Sequence, residues 1–266
     1  MEQNNVIEST ITNKTIEILG VPINRISAIE VTHTLVAWAL SGRTHHVLTV
    51  NPEFVMIAQK NKQFLNVLQN ASLRIADGIG ILWASRFLGT PITERVTGSD
   101  TIPSFAKEAS KKGIRFFLLG AAPGIAELAA EALRKDYPGI EIVGTFAGSP
   151  REEDEDEICT RITSVRPHVL LVAYGAPIQD LWIARTAHKL NIPVAIGVGG
   201  TFDFLAKTAK RAPKWMQRYG IEWLFRLVQE PRRWRRMLRL PLFVFAVVQS
   251  SMSARNSTKG MQSLDK

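Results

Sequence analysis

The 266-residue sequence has little cysteine, no long apolar run and no secretion signal. Its single cysteine, Cys159, excludes an intramolecular disulfide and a metal centre built from several cysteines, and it favours a reducing compartment. The longest apolar stretch, residues 241–248, is shorter than the roughly 18 residues that span a bilayer. The N-terminus is polar and lacks the basic and apolar regions of a signal peptide. We therefore expect a cytoplasmic protein whose contact with a membrane, if any, is peripheral.

Metal-binding patterns are also scarce. The five histidines show no spacing typical of metal ligands or of a catalytic triad. The one Asp-x-Asp sequence, Asp154-Glu-Asp156, lies in an acidic run that is typical of a solvated helix start. We expect neither a metal nor a cofactor.

Positive charge is abundant and unevenly placed. The net charge is +9, and residues 207–239 hold eleven Lys and Arg against two Glu. Such a cluster could bind nucleic acid, bind anionic lipid, or form a solvated helix face. Aromatic residues between the arginines favour a helix in the headgroup plane of a membrane over a nucleic-acid site; these are Trp223, Phe225, Trp234 and Phe243.

Short β-rich runs alternate with runs of helical period from Ile16 to Gly200. The predicted strands are residues 46–51, 73–76, 115–119, 141–145, 169–173 and 194–198. This alternation predicts an α/β fold with a mostly parallel, Rossmann-like sheet and helices on both faces. Pro231 should break the basic, amphipathic segment that follows. The predicted units are a flexible tail (1–15), an α/β domain (16–208), a helical membrane-associating appendage (209–250) and a disordered tail (251–266).

Ligands of parallel α/β sheets collect at the carboxyl ends of the strands. Four of the five segments that follow predicted strands contain glycine, which lets backbone N–H groups approach a phosphate. The glycines that we expect to contact a phosphorylated ligand are Gly120, Gly175, Gly199 and Gly200. Any one of them could equally form an ordinary turn.

Asp77 directly follows a predicted buried strand. A carboxylate there could be partly desolvated and act as a general base. It could equally cap the helix that begins near Gly78, because aspartate is a favoured N-cap residue. The sequence alone leaves both interpretations open.

Three further polar residues lie near predicted strand ends or in a loop. Arg95 could clamp a diphosphate, or form a surface ion pair with Glu94 or Asp100. Asn51 and Gln179 could orient a sugar hydroxyl or satisfy loop backbone. Asn51 followed by proline is also a helix start signal, and Ser99 or Asp100 is expected to cap another helix.

An ordered set of motifs resembles the WecG/TagA/CpsF glycosyltransferase family. The motifs are Thr49-Val-Asn-Pro-Glu-Phe-Val, Ile75-Ala-Asp-Gly-Ile-Gly-Ile, Glu94-Arg-Val-Thr-Gly-Ser-Asp, Leu119-Gly-Ala-Ala-Pro-Gly, Gly175-Ala-Pro-Ile-Gln, Gly197-Val-Gly-Gly-Thr-Phe-Asp, Lys210-Arg-Ala-Pro, Glu222-Trp-Leu-Phe-Arg and Glu230-Pro-Arg-Arg. The resemblance covers roughly residues 16–236. One such motif would mean little, but nine in this order are specific.

The resemblance implies an inverting, metal-independent transferase that moves N-acetylmannosamine or a related sugar from a UDP donor to a polyprenyl-diphosphate-linked sugar. It also implies that the enzyme acts at the inner face of the cell membrane, in the synthesis of teichoic acid, common antigen or capsule. The resemblance also allows a homo-oligomer. We do not expect a nucleic-acid partner.

The resemblance also implies residue roles. Asp77 would be the general base, with Thr49 and Asn51 in the same pocket. Arg95 and Gln179 would contact donor or acceptor, and Asp203 would hold the nucleotide-sugar. Basic positions in the appendage would reach towards the diphosphates; these are Arg226, Arg233 and Arg236.

Two other functions remain open at this point. A nicotinamide-dependent oxidoreductase would share the glycine turn after a strand, although residues 120–124 lack the G-x-G-x-x-G spacing. A non-enzymatic membrane or nucleic-acid adaptor would use the basic segment alone.

Overall fold

The computed structural model describes residues 15–229, 231 and 234–262, without the side chains of Arg218, Arg226, Arg235, Arg236 and residues 253–262. Its centre is a six-stranded, all-parallel sheet of strand order β4-β3-β8-β7-β5-β6. The strands are β3 (His45–Val50), β4 (Leu73–Ala76), β5 (Arg115–Gly120), β6 (Glu141–Phe146), β7 (Val169–Ala173) and β8 (Val194–Gly197). The predicted α/β class and all six predicted strands are confirmed, with bounds that differ by one residue at most.

The sheet is buried on both faces, which explains its nearly continuous apolar strands. Every residue of β7 is buried, and successive residues belong to different cores: Leu170 packs with the helices Glu155–Ser164 and Ile178–Leu190, and Leu171 packs with the opposite layer. The layer helices are α1 (Ala28–Ala39), α2 (Pro52–Ala58), α3 (Lys62–Asn70), α4 (Ile79–Phe87), α5 (Gly98–Ala109), α6 (Ile125–Asp136), α7 (Glu155–Ser164), α8 (Ile178–Leu190) and α9 (Thr201–Leu205). Helices α1, α5 and α6 cover one face of the sheet, while α2, α3, α7 and α8 cover the other.

An antiparallel hairpin precedes the sheet and was absent from the sequence-based prediction. Strands β1 (Thr15–Ile18) and β2 (Val21–Asn24) are joined by a turn at Leu19 and Gly20, which both have positive φ. The Asn24 side-chain oxygen accepts a hydrogen bond of 2.8 Å from the backbone N–H of Arg74, which ties the hairpin to β4. The predicted loose tail lies outside the described residues, except that Thr15 already belongs to β1.

One predicted helix cap is wrong. Helix α5 is capped by Thr97, whose hydroxyl accepts from the backbone N–H of Asp100, and not by Ser99 or Asp100. The reason is that Thr97 has the extended backbone of an N-cap, whereas Ser99 and Asp100 already lie in the first turn. The cap at Asn51 is confirmed: its side-chain oxygen accepts from the backbone N–H of Phe54 at 3.1 Å.

The C-terminal segment consists of helices that pack back onto the sheet domain. They are α10 (Lys214–Arg218), α11 (Glu222–Gln229), α12 (Trp234–Met237) and α13 (Arg239–Gln262). Helix α11 ends before Pro231, as predicted. Pro241 lies in the first turn of α13, where a missing N–H costs little. Helix α13 continues past residue 250, so the predicted end of the appendage does not coincide with the end of the helix.

Helix α13 packs against α2 and α4 with one face. Phe243 and Val247 are each 1% exposed there. A Cβ atom at Gly80 would lie 2.6 Å from Cγ of Pro52 and 3.8 Å from the Phe243 ring, so the close approach of the three helices requires glycine. The opposite face of the apolar run is exposed. Within the described residues, no helix is both long enough and apolar enough to cross a membrane.

Candidate active site

The site lies where the order of the strands reverses. Strand β3 has β4 on one side and β8 on the other, and a crevice opens beyond the carboxyl ends at such a point. A central cavity of about 330 Å³ occupies this position. It is lined by Thr49, Asn51, Phe54, Asp77, Gly98, Ser99, Ala173, Tyr174, Gly175, Ala176, Gln179, Val198, Gly199, Gly200, Thr201, Asp203 and Phe204. The structure thus brings together seven predicted site residues from four separate strand ends: Thr49, Asn51, Asp77, Gly175, Gln179, Gly199 and Gly200; Asp203 joins them from α9.

Gln179 holds two walls of this cavity together. Its side chain is buried, and its Oε1 accepts hydrogen bonds from the backbone N–H groups of Gly175 (3.1 Å) and Gly199 (3.0 Å). One amide group therefore satisfies the loops that follow β7 and β8. From the sequence, Gln179 could orient a sugar hydroxyl or satisfy loop backbone. The two hydrogen bonds are those that the second interpretation requires.

Asp77 does not fill the capping position of α4. The N-cap is Gly78, with a φ of +97°, and no side chain makes a capping hydrogen bond at this helix. The backbone N–H of Asp77 donates to the Val50 carbonyl at 2.8 Å, which fixes the residue beside the end of β3. The half-buried carboxylate is therefore part of the cavity wall.

A second cavity of about 210 Å³ lies between the sheet domain and the C-terminal segment, and we call it the C-terminal cavity. Its residues are Asn51, Pro52, Glu53, Asp77, Gly78, Ile79, Gly80, Arg95, Gly220, Glu222, Trp223, Met237, Arg239 and Leu240. Asn51 and Asp77 line this cavity as well as the central one. Its wall combines two arginines and the carboxylates of Glu53, Asp77 and Glu222 with apolar side chains.

Arg95 faces the C-terminal segment and not its sequence neighbours. Its Nη1 lies 3.9 Å from Oε2 of Glu222, at the start of α11. The pairs expected from the sequence are not formed, because both carboxylates have other partners. Glu94 accepts from the backbone N–H of Ala28, and Asp100 accepts two hydrogen bonds from Arg211.

The Asp100–Arg211 pair fastens the linker after α9 to the start of α5. The two guanidinium–carboxylate distances are 2.6 and 2.9 Å. The hydrogen bonds from Arg211 hold the pKa of the Asp100 carboxyl below its ordinary value, and the same contact raises the pKa of Arg211. Arg211 also lies 3.8 Å from Glu222, so the pair connects to Arg95 through that carboxylate.

A third and larger space adjoins the central cavity, and we call it the basic trough. It has a volume of about 750 Å³ and is lined by Ser99, Thr201, Phe204, Leu205, Lys207, Ala209, Lys210, Arg211, Pro213 and Phe225. Ser99, Thr201 and Phe204 belong to both the trough and the central cavity.

Some predicted residues are not brought to these cavities. Gly120 lines none of the three; a Cβ there would lie 2.8 Å from the Ala173 backbone, so this glycine allows β5 and β7 to approach. Arg233 lies outside the described residues, as do the side chains of Arg226 and Arg236. Within the described part of the chain, no three His, Cys, Asp or Glu side chains are grouped as metal ligands would be.

Other lining residues were missed by the sequence analysis. Glu53 and Arg239 form an ion pair at the edge of the C-terminal cavity, although 186 positions separate them. Arg239 was noted only as one of many basic residues. Phe54 and Phe204 gave no signal, because apolar residues near strand ends are common in any α/β protein, and Ser99 was considered only as a helix cap.

The fold and the site together define an α/β enzyme with a ligand crevice at the switch point of a nucleotide-binding type of sheet. A model described as the glycosyl transferase WecG/TagA/CpsF family matches residues 16–257. The chain belongs to this family, which confirms the resemblance seen in its motifs, and it is a hexosyltransferase. The oxidoreductase and adaptor alternatives are therefore wrong.

Individual relatives cover most of the chain. A Bacillus spizizenii protein is 34% identical over 233 residues, which are 85% of this chain and 90% of that protein. A Bacillus subtilis protein is 32% identical over 209 residues, 79% of this chain and 81% of the relative. A Staphylococcus aureus protein is 29% identical over 246 residues, 91% of this chain and 95% of the relative. Each is named N-acetylglucosaminyldiphosphoundecaprenol N-acetyl-beta-D-mannosaminyltransferase.

Proposed function

We propose that this enzyme transfers N-acetylmannosamine from UDP to the sugar of an N-acetylglucosaminyl-diphospho-undecaprenol acceptor, with inversion and without a metal ion. The names of its relatives support the sugar and the acceptor. The observation that carries the mechanism is the position of Asp77, which lines both the central cavity and the C-terminal cavity. A base for this reaction must contact the acceptor hydroxyl, and the donor sugar must lie on the other side of that hydroxyl.

The reaction is a single in-line displacement. The acceptor hydroxyl oxygen bonds to the anomeric carbon of the donor as the bond from that carbon to the UDP oxygen breaks. Asp77 accepts the hydroxyl proton, and UDP leaves with the bonding electron pair. Asn51 uses its Oδ1 for the helix cap, so we assign the contact with a ligand to its amide nitrogen.

The C-terminal cavity suits a lipid-linked diphosphate. Arg95 and Arg239 line the cavity beside the carboxylates of Glu222 and Glu53, and a diphosphate would compete with those carboxylates for the guanidinium groups, which bind phosphate oxygens through paired donors. Trp223, Met237 and Leu240 provide an apolar wall for the first part of the hydrocarbon chain. The acceptor sugar would then reach Asp77 from the side of the C-terminal segment.

Exposed apolar side chains near this cavity support docking to a membrane surface. On α13, Leu242 and Phe245 are 53% and 67% exposed, and on the neighbouring α4 the stacked rings of Trp83 and Phe87 are also accessible. Apolar side chains beside a strongly basic segment are typical of helices in the headgroup plane. We infer that the enzyme works at the inner face of the cell membrane, where its acceptor resides.

The test is sugar transfer by Asp77→Asn. The change keeps the size of the side chain and removes its basicity, so we expect transfer from UDP-N-acetylmannosamine to fall at least 100-fold, the scale of general-base catalysis, without loss of thermal stability. Asp136→Asn, at an exposed position on α6, is the control and should keep full activity. Full activity of Asp77→Asn would remove Asp77 as the base. Loss of wild-type activity in EDTA would refute the metal-independent mechanism.

A panel of UDP-sugars tests the donor. We expect N-acetylmannosamine to be transferred faster than N-acetylglucosamine or N-acetylmannosaminuronate. Preference for the uronate would shift the proposed function to another member of the same reaction class.

A further inference from the structure

A carboxylate is fully buried behind the wall of the central cavity. Asp180 lies in the first turn of α8, next to Gln179, and neither of its oxygens accepts a hydrogen bond from a residue that the structure describes. Burial of a carboxylate without hydrogen bonds is costly, so such a group in a native fold calls for an explanation. Asp180 does not line the central cavity, and any effect on the reaction must therefore pass through a neighbour.

The partner of this carboxylate is an imidazole from the sheet. Nε2 of His46 lies 3.5 Å from Oδ1 of Asp180, and within the described residues no other basic side chain forms an ion pair with it. When it is protonated, the imidazole compensates the buried charge, because attraction between charges is strong where water is excluded. The first turn of α8 adds the favourable end of the helix dipole. The pair therefore ties α8 to β3, the strand that leads to Thr49 and Asn51 at the cavity.

A glycine brings Asp180 and Gln179 together at the end of β8. A Cβ atom at Gly197 would overlap both Oδ1 of Asp180 and Nε2 of Gln179, so the two side chains lie side by side against the Cα of this residue. The two ends of the Gln179 amide group thus have different neighbours. Its Nε2 meets Gly197 beside Asp180, and its Oε1 accepts from Gly175 and Gly199.

The Gln179 amide in turn sets the position of two loops. Its hydrogen bonds join Gly175, after β7, to Gly199, after β8. Three side-chain torsions separate this amide from its backbone, so the backbone of α8 alone does not fix its place. A shift of the amide would move both loops, and Gly175, Gly199 and the adjacent Gly200 all line the central cavity.

We propose that Asp180, paired with His46, is a positioning residue for sugar transfer. It fixes the amide of Gln179 and, through this amide, the two loops that form one wall of the central cavity. The proposal rests on the proposed function, in which the acceptor approaches from the C-terminal segment and the central cavity receives the donor sugar. Neither Asp180 nor His46 touches a substrate, and both act through Gln179.

Stabilisation of α8 alone is the competing role for a buried acidic residue in a first helical turn. That role predicts a loss of thermal stability without a specific change in the loops after β7 and β8. It also predicts that replacing Asp180 has the same effect whether or not the Gln179 side chain is present. The two experiments below separate positioning from stabilisation on these two points.

The first experiment follows two amides and does not need catalysis. Nuclear magnetic resonance of the full-length protein with isotopically labelled glycine reports the amides of Gly175 and Gly199. We expect Asp180→Asn, which keeps the shape of the side chain and removes its charge, to increase their exchange with solvent about tenfold. The amide of Gly139, in the turn before β6, should exchange as in the wild type. The control Asp136→Asn, at an exposed position on α6, should leave all three amides unchanged.

His46→Gln tests the same assignment from the other side of the pair, and it carries the test if the Asp180→Asn protein does not fold. It removes the basic partner and should increase the exchange of the same two amides. Wild-type exchange of Gly175 and Gly199 in the folded variants of this pair would overturn the proposal.

The second experiment is a double-variant cycle that tests the path through Gln179. Asp180→Asn should lower kcat/KM for the UDP-sugar about tenfold, because displacement of a cavity wall misaligns the donor, and KM for the lipid acceptor should stay within about twofold. In the background of Gln179→Ala the same change should lower kcat/KM by less than about twofold, because the group that it positions is already absent. Equal factors in the two backgrounds would show that Asp180 acts independently of Gln179 and would overturn the proposal.

Failure of the proposed function has a different signature. If the wild type transfers no sugar from a UDP donor while the amides of Gly175 and Gly199 still depend on Asp180 and His46, the proposed function is refuted. The positioning of Gln179 by Asp180 would then stand.

Discussion

Arg239 donates a hydrogen bond to Glu53, and this contact joins the first residue of α13 to the first turn of α2. Glu53 stands two positions after Asn51, which lines both cavities. The pair is partly buried, with side chains 39% and 16% exposed, so water screens it less than an ordinary surface pair. The pair therefore attaches the C-terminal segment to the part of α2 that lies beside Asp77.

Removing the charge of Glu53 should loosen that docking. We expect Glu53→Gln to lower the free energy of unfolding by about 0.5–1 kcal/mol, because a partly exposed ion pair contributes on that scale. The amides of α13 should exchange with solvent faster than in the wild type, as measured by hydrogen–deuterium exchange. Glu131→Gln on α6, an exposed position, is the control. Equal exchange rates of α13 in Glu53→Gln and the wild type would show that the pair does not hold the helix.

Two phenylalanines on α13 offer a matched comparison of packing and surface roles. Phe243 is 1% exposed and Phe245 is 67% exposed. Phe243→Ala should lower the free energy of unfolding by about 3–4 kcal/mol, the usual cost of emptying a buried aromatic site. Phe245→Ala should change it by less than about 0.5 kcal/mol. Chemical denaturation measures both, and Phe243→Leu provides a milder variant in case the alanine protein does not fold.

The same two variants separate folding from membrane contact. Phe245→Ala should reduce flotation with anionic vesicles, because it removes exposed apolar surface from the proposed membrane face. Phe243→Leu should float as the wild type does. If Phe245→Ala binds vesicles as tightly as the wild type, the exposed face of α13 is not the contact surface.

The sheet and the position of Asp77 could be predicted from the sequence because both depend on local patterns. Each strand is an apolar run with few polar interruptions, since both of its faces are covered by helices. Strand ends of a parallel sheet share one edge, so the residues after β3, β4, β7 and β8 could be placed together before any contact was known. Those residues supply most of the central cavity.

The remaining parts of the site depend on contacts that no local pattern encodes. Arg95 is next to Glu94 in sequence but faces Glu222, because Glu94 bonds to the start of α1. The Glu53–Arg239 pair and the trough arise only when the C-terminal segment folds back onto the sheet domain. The hairpin at the N-terminus was missed because its strands are four residues each and its Leu-Gly turn is not one of the common hairpin turn sequences.

Stability should depend on pH through Asp100. Arg211 holds the pKa of this carboxyl below its ordinary value of about 3.9, so the folded protein binds its proton less readily than the unfolded chain. The stabilisation is complete above the ordinary pKa and is lost as pH falls through the depressed folded pKa. The free energy of unfolding, measured by denaturation at several pH values between about pH 5 and pH 3, should therefore fall less steeply with decreasing pH for Asp100→Asn than for the wild type. Arg211→Gln should flatten the dependence in the same way; a wild-type slope in both variants would contradict the assignment.

Asn51 allows its capping role to be separated from its role beside Asp77. Asn51→Asp keeps an oxygen that caps α2, and asparagine and aspartate are nearly equal as N-caps, so stability should change by less than about 0.5 kcal/mol. The change also removes the amide donor and places a second carboxylate beside Asp77. Two neighbouring carboxylates raise the pKa of one member, so the pH at which transfer reaches half its maximum should increase.

The pH–rate profile of kcat tests this directly. Transfer at neutral pH should fall at least tenfold and recover partly at higher pH, whereas Asn51→Ala should lose about 1 kcal/mol of stability without moving the profile. The alanine variant loses the cap and the aspartate variant keeps it. A shift of the pH–rate profile in Asn51→Asp but not in Asn51→Ala would therefore be a charge effect on Asp77. An unshifted profile in Asn51→Asp would mean that residues 51 and 77 do not act on the same proton.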